Sequence, residues 1–360
     1  MAQVVVIGCG VVGAMLAYEL SLAPELSVVA IDRGLPGRGS TSAALGVLMG
    51  AISHKIKGRL WQMRQMSLER YETLIPELES LTQTKILYNR QGILKLCLLG
   101  EDLNNWEKLT QFRQKQGYRL EIWDLPRLKS NCPQLNCQQI EVGIYSGSDR
   151  QVDPVALTEA LILAGKDGGV KYEFETGIEI DRQKKVIKTK NGLVDWDYLV
   201  ISAGLGSAEL ASQLQQTLPM EPVLGQAIQV HLPEILGNPG FQPVITADDV
   251  HIVPWGGTDY YIGATVEFPQ NGTPPIPDPE QLEFVRQKAI AICPQIAEGK
   301  IIRSWSGLRP RPVGQPAPII RQHPEENNIL FATGHYRNGV LLAPATAILV
   351  RQVIRGDRFR

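Results

Sequence analysis

The chain opens on an unbroken apolar run, Val4 to Ile7, and then changes to helical spacing over Ala14 to Leu22. A short run of β-branched residues predicts a strand buried on both faces, the kind found inside parallel sheets. A second such run, LSVVAID, predicts a strand ending at Asp32. From Trp61 to Leu81 apolar and long polar residues mix with helical spacing, and Pro76 predicts a break or bend there. QGILKLCLL (91–99) alternates as a strand does, and residues 101–117 return to a helical pattern. In DRQVDPVALTEALILAGKDGG, Asp153 is placed to cap a helix, Pro154 to open it and the glycine pair to close it. Strands are predicted at VKYEFE and KKVIKTKNG, and again at Tyr198 to Ile201, where Ala203, Gly204 and Gly206 lead into a new helix. Residues 222–268 hold several strands, among them GQAIQVHL, VHIVP and YYIGATVEF, separated by proline-rich turns. They predict a mostly antiparallel sheet, followed by a helix over 279–293.

A chain of 360 residues with 44% hydrophobic content can bury a large core and is expected to form two intertwined domains. The formal charge is −1 and no long basic block occurs, which excludes the electrostatic footprint of a nucleic-acid binder. The opening residues run straight into a strand without a charged leader, and the apolar stretches fall short of a membrane span. A cytoplasmic protein is expected. Five scattered cysteines without a CxxC pair argue for reduced thiols rather than disulfides or a metal site.

The candidate chemistry begins at Gly8, Gly10 and Gly13, a GxGxxG between the first strand and its helix. Such a turn brings backbone close to a pyrophosphate and points a helix N-terminus at it. Asp32, nineteen residues after Gly13, is placed to accept hydrogen bonds from a ribose diol and to repel a 2′-phosphate. Either NAD or FAD would fit this pattern. The small residues of GRGSTSAALGVLMG (37–50) suit backbone packed against a large ligand, and the turn at 203–206 is either a second such place or an ordinary strand-to-helix turn. Near the C-terminus, Arg309 and Arg311 stand in WSGLRPRPVGQPAPI with no acidic residue between Glu298 and Glu325. A shielded guanidinium needs an anion, so the partner comes from elsewhere in the chain, from solvent or from a ligand.

The opening fingerprint, the VDP helix, VISAG, GLRP and ILFATGHYRNGVLLAPATA together resemble the D-amino-acid oxidase group of flavoproteins, and most closely the glycine oxidases of thiamine biosynthesis. The resemblance implies an α/β fold: an FAD-binding, doubly wound Rossmann-like domain, of the glutathione-reductase type, joined to an antiparallel-sheet substrate domain. The expected division is 1–80, 145–220 and 305–360 for the cofactor, and 81–144 and 221–304 for the substrate. It implies FAD as cofactor, held by Gly8, Gly10, Gly13, Asp32, Arg33, Ser42, Ala43, Ala44, Gly46, Val47, Ile178, Gly204, Gly334, His335, Arg337, Asn338, Gly339 and Val340. No metal is expected. Arg309 is the residue that would hold a substrate carboxylate, with Arg337 a second cation nearby, while Arg311 is expected in an ion pair. Departures occur at His251 and Trp255, where the family has a tyrosine and an arginine, and at Val266, where it has a methionine. His251 is taken as a site residue in the tyrosine's place, with an ionisation near neutral pH. The implied partners are a small amino acid and oxygen, within a homo-oligomer, a tetramer in the family. The implied reaction is oxidation of glycine, sarcosine or a small D-amino acid to the imino acid with release of peroxide. A dehydrogenase with another electron acceptor and a non-catalytic flavin subunit are the alternatives.

Overall fold

The apolar opening run becomes the strand Ala2–Ile7, with Val4, Val5 and Val6 fully buried in the middle of a six-stranded sheet. The structure is a computed structural model describing residues 1–356; residues 357–360 of the expected 305–360 segment lie outside them. From one edge the strands run Ile319–Gln322, Ile329–Thr333, Tyr198–Ile201, Ala2–Ile7, Leu26–Ile31 and Lys171–Glu173. All pairs are parallel except the first. Helices Val11–Ser21, Arg59–Thr82, Pro154–Asp167 and Gly339–Ile354 pack together over one face. Helix Ser207–Gln213 and a small antiparallel sheet at 179–195 cover the other. This burial on both sides is why the central strands carry no alternation.

The second sheet has eight strands, in the order Lys300–Pro312, Met220–His231, Asp259–Gly263, Val250–Gly256, Val244–Ala247, Ile93–Leu98, Ile140–Ser146 and Leu120–Trp123. Only Val244–Ala247 with Ile93–Leu98 is a parallel pair. Helix Pro279–Ile292 covers one face, and the other turns toward residues 45–52 and helix Asn104–Lys115. The 13-residue strand Lys300–Pro312 pairs along its length with Met220–His231, so the boundary expected at residue 305 falls inside a strand of this sheet.

Pro76 does not break its helix, which runs from Arg59 to Thr82. Glu72, whose carbonyl loses its partner to the proline, is exposed together with Pro76, so that group is open to solvent, while Leu74, Ile75 and Leu78 anchor the buried side. The loop after residue 48 is clamped from two directions. Asp149 accepts the amides of Gly50, Ala51 and Ile52 at 2.6–2.8 Å, and the buried Arg113 donates to the carbonyls of Ala51, Ser53 and Lys55 at 2.7–2.8 Å. Cys9, Cys97, Cys132 and Cys293 are buried free thiols and Cys137 is half-buried. No helix among the described residues is long and apolar enough to cross a membrane.

Asp153 caps the helix Pro154–Asp167 by accepting the amides of Val155 at 2.8 Å and Ala156 at 3.1 Å. Asp153→Ala is expected to lower unfolding stability by about 1 kcal/mol, the usual worth of a lost N-cap; a urea midpoint equal to that of the parent protein would contradict it.

Candidate active site

The glycine fingerprint lies at the carboxyl end of the central strand, where the chain leaves for opposite sides of the sheet, as ligand crevices of this architecture do. Gly8 has φ +103°, and a Cβ on Gly13 would land inside the carbonyl of Gly8, so the helix can approach the strand only with glycine there. The helix N-terminus at Gly10 carries no capping side chain and no acid in its first turn; Thr41 Oγ1 takes the Val11 amide at 3.0 Å. Asp32 is fixed by the amides of Cys9 (2.6 Å) and Gly34 (2.9 Å), one on each oxygen, which leaves lone pairs for a diol. Arg33 leans against the turn Gly204–Gly206, and half-buried Ile178 follows Thr176, whose amide bonds the Asp32 carbonyl at 3.1 Å.

The small-residue segment folds back over this crevice. Ser42 bonds within its own turn, to Gly39, at 3.1 Å. Ala43 packs on Gly307, and its carbonyl accepts the Trp305 indole N–H at 3.3 Å; Ala44 packs against the helical core. Gly46 lies against the Val152 backbone with φ +75°, and Val47 pairs with Gln151. At the C-terminal end, Gly334 (φ +64°) abuts Pro312, and Gly339 starts the helix Gly339–Ile354 without an acid in its first turn. The positive end of that helix dipole therefore stays unneutralised. Asn338 accepts from Arg64 at 3.3 Å, and the Val340 carbonyl accepts the Tyr71 hydroxyl. His335 is buried and its Nε2 meets Thr346 Oγ1 at 2.9 Å; burial pushes its pKa down to about 3, so it serves the packing of this turn as a neutral ring.

The eight-stranded sheet contributes the charges. His251, Gly263, Ala227 and Trp305 lie in one cross-strand row, and Arg309 follows Trp305 on the same face. The Arg309 guanidinium rests on Gly225, where any Cβ would collide with it, and its Nη1 donates to the carbonyls of Leu224 (2.9 Å) and Thr265 (3.1 Å). No carboxylate among the described residues pairs with it. Asp249 bonds Arg337 at 2.9 Å, and Glu267 is engaged by Thr265 and Gln226. Burial first, then the positive charge of Arg337, lowers the pKa of Arg309. Arg311 pairs with Glu221 on the adjacent strand, as an ion-pair residue would.

His251 corrects the expectation of a neutral-pH ionisation. Its pKa is pushed down to about 4, by burial first and then by Arg337, with Asp249 opposing and Arg309 and Lys95 adding to the depression. The ring is half-buried, but its Nδ1 is sealed from solvent and has no hydrogen-bond partner. Beside this row Trp255 stacks on Tyr261 at 3.9 Å, Trp305 meets Tyr261 edge-on at 4.8 Å, and Arg303 lies 4.8 Å from the Trp305 ring.

Several buried polar atoms in this region have no partner: Ser202 Oγ beside Gly13, Arg64 Nε and His251 Nδ1. Together with the glycine turn and the fixed Asp32, they fit a large dinucleotide lying from the fingerprint toward the helix at Gly339. The profile of the FAD dependent oxidoreductases, the DAO family, matches residues 3–353. The chain belongs to this family. It is 28% identical over 358 residues to the glycine oxidase of Bacillus licheniformis, covering 98% of this chain and 93% of that protein. It is likewise 28% identical to the bifunctional protein ThiO/ThiG of Trichormus variabilis, where 98% of this chain covers 52% of the longer protein. The crystal structure of glycine oxidase from Geobacillus kaustophilus superposes with a TM-score of 0.88 at 26% identity, over 100% of this chain and 96% of that one.

For a DAO-family chain, FAD is the cofactor and the α/β fold is the expected one. Sequence reasoning missed Thr41, Gly225, Asp249 and Arg64. The first three meet their partners only through tertiary contact, whereas Arg64 did leave a signal. It interrupts an otherwise apolar stripe of Trp61, Leu68, Tyr71, Ile75 and Leu78 at helical spacing.

Two outcomes are expected. Gly225→Ala should fold, because the clash falls on the end of a flexible side chain, but should cost about a hundredfold in kcat/KM by displacing Arg309; unchanged kinetics would count against Arg309 in the site. The kcat/KM profile should show no His251 ionisation between pH 5.5 and 9, roughly, since the ring is already neutral there and protonates only near pH 4. His251→Tyr should therefore leave the shape of the profile in that range unchanged.

Proposed function

We propose that this chain oxidises glycine or another small amino acid to its imino acid, with oxygen taking the electrons as hydrogen peroxide, and that the product serves thiamine biosynthesis. The observation that carries the reading is Arg309, a half-buried guanidinium held by two carbonyls and answered by no protein carboxylate. A shielded cation in that state favours an anionic ligand, and a planar fork of donors suits a carboxylate through two parallel bonds. The names of the curated relatives, glycine oxidase and ThiO/ThiG, support the amino acid and the pathway.

Bound FAD supplies the two-electron acceptor. The chain supplies placement: Arg309 grips the carboxylate end so that the α-carbon is presented in one orientation. His251, kept neutral by burial and by its cationic neighbours, adds no positive charge to the site. Arg337 gives one bond to Asp249, and its positive charge acts on both Arg309 and His251. The wall of Trp255, Tyr261 and Trp305 limits water and substrate size. No side-chain base is required, because the substrate reacts with its amine neutral.

The test is direct. The purified holoprotein should bleach under anaerobic glycine, sarcosine or D-alanine and release peroxide in air. Bleaching without peroxide would assign a different acceptor, and a flavin that stays oxidised with every amino acid would end the proposal. Arg309→Ala is expected to lose about 2–5 kcal/mol of charge-assisted binding, roughly thirty- to three-thousandfold in kcat/KM.

A further inference from the structure

Arg64 is a second guanidinium that no carboxylate answers among the described residues. It lies in the apolar stripe of the helix Arg59–Thr82 and is only 7% exposed. Nη1 donates to the carbonyl of Met49, Nη2 donates to Asn338 Oδ1 at 3.3 Å, and Nε is buried without a partner. Asp149 is the acid near enough to act on it, but the Asp149 carboxylate is committed to the amides of Gly50, Ala51 and Ile52. Removing such a cation from water without pairing it is costly, and an uncharged methionine would fill the same helical position at less expense. Its charge therefore calls for a reason beyond packing.

The two groups it ties together supply one. Met49 directly follows the short strand Val47–Leu48, and Asn338 directly precedes the helix Gly339–Ile354. These segments come from opposite ends of the chain, and both belong to the set placed around the cofactor. Tyr71, two helical turns further along the same stripe, bonds the carbonyl of Val340, and Ser67 accepts the amide of Ala345 at 3.3 Å. One face of a single helix thus holds the start of the C-terminal helix in place, with its only buried positive charge at the end nearest the seam.

We propose that Arg64 is a positioning residue for the bound flavin: it fastens residue 49 to residue 338, and its charge favours the reduced flavin, which is more negative than the oxidised form. The inference rests on the cofactor placement used in the proposed function but not on which amino acid is oxidised. It adds a fixed charge to the field of the helix N-terminus, acting in a region from which water is excluded.

The test compares wild type, R64K and R64Q as FAD-loaded proteins, measuring the midpoint potential of the flavin by spectrophotometric equilibration with a redox dye. R64Q should shift the reduction equilibrium against the reduced form about tenfold, or about 30 mV for a two-electron couple. R64K, which keeps the charge, should stay within about threefold of wild type. An unchanged potential in R64Q overturns the proposal, as does R64K moving as far as R64Q. Should R64Q fail to hold a folded, FAD-bound state, N338D answers the same question by setting a carboxylate against Arg64. Its potential should fall likewise, and an unchanged value overturns the proposal. None of these measurements uses an amino-acid substrate, so a failure of the substrate assignment stays separate from a failure here.

Discussion

A guanidinium without an anion of its own stands at the centre of the eight-stranded sheet's charged face. Arg309 is held above Gly225 by the carbonyls of Leu224 and Thr265, in a place where burial and Arg337 both disfavour its charge. Such an arrangement persists only if the backbone around it is stiff enough to prevent the side chain from swinging to solvent. The long pairing of Lys300–Pro312 with Met220–His231 provides that stiffness, and the glycine at 225 provides the room. The energy left unpaid by the protein is what a carboxylate can supply on arrival.

The same strand is tied to the cofactor side at several points. Ser40 donates to the Leu308 carbonyl at 2.6 Å, Trp305 to the Ala43 carbonyl, Gly307 receives Ala43, and Pro312 packs on Gly334. Arg337 and Asp249 add an ion pair across this seam, but their side chains are 41% and 65% exposed, so it contributes little stability. Its effect is local: it holds Arg337 by one bond to Asp249, while the positive charge of Arg337 still acts on Arg309 and His251. Arg64 works from the other side, behind the segments at Met49 and Asn338. With Arg309 toward the substrate and Arg64 behind the cofactor, as proposed, the cleft between them would favour negative charge.

Histidines show how residue type alone misleads. His251 was expected to ionise near neutral pH, yet burial holds its pKa down to about 4, and it does the same for the cofactor-side His335, down to about 3. For His335 burial alone accounts for it; for His251 the cations Arg337, Arg309 and Lys95 add to it, and these come from three separate segments of the chain. Pro76 misleads in the same way, because whether a proline breaks a helix depends on whether water can reach the carbonyl one turn before it. Arg311, by contrast, was expected in an ion pair because the family resemblance gives it no ligand, and its acid, Glu221, comes from the adjacent strand.

What the sequence by itself determined was local and periodic. The buried strand, the glycine turn, Asp32 at the end of the second strand and the cap at Asp153 all follow from spacing and backbone geometry acting over a few residues, and the motifs around residues 305–347 were specific enough to point to the family. Only the tertiary structure decided which charges are answered. That Arg337 has Asp249, that Arg311 has Glu221, and that Arg309 and Arg64 have no acid depends on strand register and on helices brought together from opposite ends of the chain. Electrostatic interaction acts through space, over a few ångströms of low-dielectric protein, and separation along the chain carries no information about that distance.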